Sequence, residues 1–205
     1  MKKFELTAES KINIFGKKLF RIKALISFGD VEEGETGGWI EKEENLEQSS
    51  GDAWVYGDAE VYGNARVYGD AWVYGNARVY GDAWVYGNAR VYGDAWVYGN
   101  AGVSGNARVS GNARVYGDAW VYGNAEVYGN ADYTTIHGFG TQFRTTTFFQ
   151  CEDKQIRVSC GCFLGTIPEF REQVKNTREG KIAEEYLMIA DLMEKHFVKE
   201  KESGE

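Results

Sequence analysis

The chain of 205 residues carries a net charge of −8, is 43% hydrophobic and 15% aromatic, and contains one proline against 26 glycines. The charge divides as −2, −4 and −2 over residues 1–50, 51–134 and 135–205, so no basic stripe forms and direct nucleic-acid binding is disfavoured. No apolar run approaches the roughly 18 residues of a membrane span, and the N-terminus has no long apolar stretch. With an odd set of three cysteines, these features predict a cytoplasmic protein with free thiols and no membrane association.

Residues 1–50 read as an N-terminal β cap and a degenerate first coil. Ile12–Phe15 and Leu19–Leu25 alternate around Gly16-Lys17-Lys18, which predicts a hairpin. Ile40 and Leu46 are six residues apart, so a first partial coil starts there. Leu46 and Val55 are nine apart, so the register breaks once.

From Gly51 to Thr134 the unit Gly-[Asp/Asn]-Ala-x-Val-[Tyr/Ser] occurs fourteen times without insertion, only the last copy (Gly129–Thr134) being degraded. Six residues are too few for a helical or hairpin repeat, so each unit is one short strand and one corner. Ala and Val point one way while x and Tyr point the other, and Gly-[Asp/Asn] supplies the residue types that most readily take positive φ. Three units make a triangular coil of 18 residues. The predicted fold is mainly β: a left-handed parallel β-helix of about 4.7 coils over residues 51–134.

Residues 135–205 read as an α+β cap. Thr145–Cys151 and Gln155–Cys162 suggest two strands joined by Glu152-Asp153-Lys154. Thr166-Ile167-Pro168-Glu169 has the capping signature of a helix start, and Gly180 can end that helix. A second helix follows, with Ala183, Tyr186, Leu187, Ala190, Met193 and Phe197 on one stripe, and residues 198–205 read as a frayed polar end.

The Val55, Asp58, Ala59 series resembles the hexapeptide-repeat superfamily over about 84 of 205 residues. More narrowly, Gly37-Gly38-Trp39-Ile40-Glu41, then Asn45-Leu46 and the Gly-Asp-Ala-x-Val-Tyr runs, is similar to phage and prophage proteins labelled transferases or polymer-forming proteins from their fold. Fold does not give function. The resemblance implies a homo-oligomer, trimer before dimer, and an accessory role against a host defence or regulatory protein in the host cytoplasm.

Stacking at 18-residue intervals predicts three outward columns: Trp54, Trp72, Arg90, Arg108, Glu126; Glu60, Arg78, Trp96, Arg114, Asp132; and Arg66, Trp84, Gly102, Trp120. Because a coil holds an odd number of units, alternation of Trp and Arg along the chain becomes alternation in space, placing guanidinium groups over indoles. Like charges meet only at Arg90 over Arg108 and Asp52 over Asp70. The columns serve either to stabilise the tower or to meet a protein partner through Trp, Tyr and Arg. Gly102 and Ser104 share one face and leave a dent bounded by Trp84, Tyr86, Trp120 and Tyr122, the candidate binding residues.

Enzymatic readings have less to stand on. An acyltransferase needs a general base, and only His137, in a Gly-flanked segment past the last coil, and His196 exist. Zinc chemistry of the carbonic-anhydrase type needs three histidines around the prism, and the array holds none. Cys151, Cys160 and Cys162 lack a metal-knuckle spacing and read as buried thiols, with Cys160 and Cys162 on one face of a strand. The expected function is non-enzymatic binding of a macromolecule, with no metal and no cofactor. Capture of a ring-bearing small molecule at the Gly102 dent or between subunits is a further alternative.

Overall fold

The structure is a computed structural model that describes residues 2–197. It divides into two compact units, Met1–Asn130 and Ala131–Glu205.

The first unit is a three-faced parallel β-solenoid. Its strands shrink to the two residues x-Val, from β4 (Trp54–Val55) at six-residue intervals to β16 (Glu126–Val127). Each strand up to β13 (Arg108–Val109) pairs in parallel with the one 18 residues on, so Val55 lies under Val73 and Val91 under Val109. The Ala and Val of these repeats are at most 1% exposed. That burial, on the order of 25 cal/mol per Å² of apolar surface, holds the prism together. The corners need glycine for two reasons. Gly69 sits at φ +69°, and a Cβ there would meet the Gly87 backbone nitrogen at 3.0 Å.

The N-terminal residues build the start of this unit. β1 (Phe4–Ile12) and β2 (Lys18–Ala24) form an antiparallel hairpin that begins well before Ile12. Beside β2, β3 (Thr36–Ile40) enters the first coil in parallel, with Ile40 paired to Val61 and Leu46 bridged to Val67. Those spacings are 21 residues, whereas later ones are 18, so three extra residues lie between Leu46 and Val55. They extend a shelf that begins before them at the 3-10 turn Glu43–Asn45.

Ladder hydrogen bonds run from each coil's N–H to carbonyls of the next, as from Tyr68 N to Val85 O. The first full coil would therefore present bare carbonyls at its corners. Lys3 Nζ donates to Gly51 O (3.2 Å) and Ala53 O (3.1 Å), Arg21 Nη1 to Gly57 O (2.8 Å), and Asn45 Nδ2 to Gly63 O (3.1 Å) and Ala65 O (2.9 Å). These contacts satisfy the open edge, which would otherwise template aggregation.

The fourteenth copy adds no solenoid strand. Gly129 does not take positive φ, so the corner is not made, and Tyr133 starts a strand of the second unit. The second column therefore ends at Arg114 instead of Asp132, and it begins earlier than expected, with Trp39 paired to Glu60.

The second unit is a four-stranded antiparallel meander, β17 (Tyr133–Phe139), β18 (Arg144–Gln150), β19 (Ile156–Cys160) and β20 (Phe163–Thr166), with α1 (Ile167–Thr177) and α2 (Gly180–Phe197). Its core joins Phe148, Val158, Phe170, Val174, Tyr186 and Met193. Thr166 caps α1 as the capping signature requires. Three expectations need correction. Two further strands, β17 and β20, flank the pair anticipated, and Gly180 opens α2 while Arg178 caps α1. The strand expected to reach Cys162 stops at Cys160, because Gly161 turns at φ +61° and leaves Cys162 exposed. The expected frayed end, residues 198–205, lies outside the described residues.

Candidate functional site

The outward columns settle which aromatic groups the fold itself consumes. Trp54 is fully buried, with Phe4 and Phe28 edge-on at 6.1 and 5.4 Å. Arg90 lies over the Trp72 ring at 4.9 Å, and Arg78 and Arg114 lie over the Trp96 ring at 5.1 and 4.9 Å. Tyr62, Tyr80, Tyr98 and Tyr116 form one continuous stack at 5.0–5.3 Å between ring centres. Phe15, at the hairpin turn, closes over Tyr62, Tyr80 and Trp96. Burial raises the pKa of Tyr62 and Tyr80 above the ordinary phenol value, and that of Tyr56, beside Trp54 and Trp72, to about 12.

The two like-charge meetings resolve locally. Arg90 turns to Trp72 while Arg108 turns to Glu126 at 3.1 Å. The Asp70 carboxylate accepts the backbone N–H of Asp52 at 3.0 Å. At other corners an Asn amide donates to the acid one coil on, Asn64 to Asp82 and Asn76 to Asp94 at 3.0 Å each.

The indoles that remain exposed lie on the third face, while Tyr116 and Tyr128 are exposed on the other two. Trp84 is 46% and Trp120 40% exposed, and both pair in register with Gly102. A Cβ at Gly102 would meet Trp120 Cε3 at 2.9 Å and Cδ2 at 3.0 Å, so the indole lies back over the glycine and occupies the floor of the expected dent. Ser104 is buried, and Tyr86 and Tyr122 are half-buried. The dent is thereby shallow, and the face offers a ridge with two indoles two coils apart.

A groove that the repeat pattern did not reveal opens below Trp84. It measures about 490 Å³ and is lined by Glu43, Glu44, Leu46, Glu47, Gln48, Arg66, Val67, Tyr68 and Trp84. The shelf made by the register break is one wall. Its legible signal was the nine-residue spacing between Leu46 and Val55, which shows where residues are added but not where they project.

In the second unit His137 stands exposed on β17, a strand where a loop was expected, with Nδ1 3.0 Å from Thr145 Oγ1. Cys151 is buried, Cys160 is half-buried with its sulfur accepting from Thr146 Oγ1 at 3.2 Å, and Cys162 is exposed. Among the described residues no group of three or more His, Cys, Asp or Glu is placed to hold a metal ion, and no helix is long and apolar enough to cross a membrane.

Residues 59–75, 71–87, 85–99, 101–117 and 107–123 match the family model described as the YdcK Beta solenoid repeat. Stacked parallel coils and repeat matches together make the chain a β-solenoid repeat protein. No curated protein matches it.

Proposed function

We propose that this chain is a non-enzymatic binding protein that docks another macromolecule on the solenoid face presenting Trp84 and Trp120. One observation carries this reading. Trp54, Trp72 and Trp96 are covered by the cap or stacked under arginine, whereas Trp84 and Trp120 keep 46% and 40% of their surface exposed. Exposed indoles are the residues that most often anchor interfaces. The resemblance to left-handed hexapeptide-repeat proteins of phages suggests that the partner is a host defence or regulatory protein in the cytoplasm, and that the chain self-associates, as a trimer first.

The test is capture of a partner from host extract on the full chain, compared with the Trp84→Ala/Trp120→Ala variant. Loss of at least ~2 kcal/mol of binding, with the fold intact, supports the reading. Unchanged capture moves the docking surface elsewhere.

A further inference from the structure

The groove under Trp84 breaks the tower's own rule. Trp72 and Trp96 each carry an arginine from a neighbouring coil, at 4.9–5.1 Å. Arg66 and Trp84 are neighbours by the same register, yet Arg66 lies over no ring and makes no ion pair among the described residues. Below Arg66 the column offers nothing outward, because Asn45 turns in to cap Gly63 and Ala65. An unpaired guanidinium and a half-exposed indole therefore face one cavity.

The opposite wall is acidic and firmly held. Gln48 Oε1 accepts from the N–H groups of Lys3 and Phe4, and Gln48 Nε2 donates to Phe4 O. Glu47 N donates to Val67 O at 3.0 Å. Of the three carboxylates, Glu43 is matched by Lys2 at 2.7 Å. Glu47 has one oxygen bonded to Ser49. Glu44 is exposed and forms no ion pair among the described residues. A purely anionic ligand would meet Glu44 and Glu47, and a purely cationic one would meet Arg66. A ligand with both charges and a ring satisfies all three features, and the pinned shelf spares it the cost of ordering the site.

We propose that this groove binds a ring-bearing zwitterion of the α-amino-acid class, its carboxylate on Arg66, its ring against Trp84 and its ammonium towards Glu44 and Glu47. The site goes beyond macromolecular docking on the ridge and overlaps it at one residue. Trp84 is common to both, whereas Arg66 and Glu44 distinguish them.

The probes are L-phenylalanine, phenethylamine, which lacks the carboxylate, and 3-phenylpropionate, which lacks the ammonium. Each is titrated into the full chain and followed by the Trp84 indole resonance. L-phenylalanine is expected to saturate at millimolar concentration or below and to bind at least ~10-fold tighter than either analogue. Arg66→Gln should erase its advantage over phenethylamine, and Glu44→Gln should narrow its advantage over 3-phenylpropionate. Trp84→Ala, read by calorimetry, should abolish binding while the circular dichroism is unchanged. No saturation by about 10 mM, equal binding of a singly charged analogue, or indifference to Arg66→Gln overturns the proposal.

Discussion

Asn45 shows how much one side chain contributes where a periodic structure begins. It is fully buried, its amide donates to Gly63 O and Ala65 O, and its Oδ1 accepts from Lys42 N at 3.0 Å. Asn45→Leu leaves the buried Ala65 carbonyl and the part-buried Gly63 carbonyl without this donor, and loss of a buried partner costs about 1–3 kcal/mol. Chemical denaturation should show a drop in that range for the solenoid unit, and a drop below ~0.5 kcal/mol would mean water replaces the amide. Residue identity alone did not announce this role. Asn45 has the same spacing to Leu46 as an ordinary outward residue, and only the missing coil below it turns the amide inward. The repeat did make the pairs higher up legible, since an 18-residue period places Arg78 over Trp96 whatever surrounds them.

At the scale of elements, the hairpin of β1 and β2 is more than an edge cover. Its turn residue Phe15 keeps half its surface in solvent yet meets three rings of the tower, at 5.6 Å for Tyr80 and 6.1–6.2 Å for Trp96 and Tyr62. Aromatic pairs are worth ~0.5–1.5 kcal/mol each, less when partly exposed. Phe15→Ala should therefore lower stability by about 1–2 kcal/mol in equilibrium unfolding, with the cap hairpin gaining amide exchange first. No change in exchange would mean that the hairpin is held by its strand pairing to β3 alone. Elements were legible where local chemistry decides them, as at Thr166, whose hydroxyl accepts from Glu169 N at 3.3 Å. They were not where partners are distant. β17 looks like a loop in sequence because Gly138 and Gly140 flank Phe139, and it becomes a strand through pairing with β18.

On the scale of the whole molecule, the buried phenols tie stability to pH. Tyr56, Tyr62, Tyr68, Tyr74 and Tyr80 all have raised values, chiefly from burial. A raised folded value means the folded state holds its protons more tightly, so the contribution is complete below the ordinary value of about 10 and is lost as pH climbs towards about 12. Lys3, held below its ordinary value by burial, works the other way. Alkaline titration should show flat stability to about pH 10 and then cooperative unfolding with release of tyrosinate absorbance. Gradual ionisation of all phenols near pH 10 without unfolding would contradict the stacks. Deletion of Gly69–Tyr86 removes one coil and keeps every later residue on its face, whereas deletion of Gly69–Tyr74 turns the rest by one face. Both should fold, because each coil is stabilised by its neighbours.

Trp84 and Trp120 are the more exposed indoles and Trp54, Trp72 and Trp96 the more covered ones, a difference that oxidative footprinting addresses most directly. Each tryptophan of the free chain and of its complex with the captured partner is scored by mass spectrometry. Trp84 and Trp120 are expected to oxidise fastest in the free chain and to be protected in the complex, with Trp54, Trp72 and Trp96 slow in both. Unchanged oxidation of Trp84 and Trp120 in the complex, with protection confined to other positions, would contradict docking on that face.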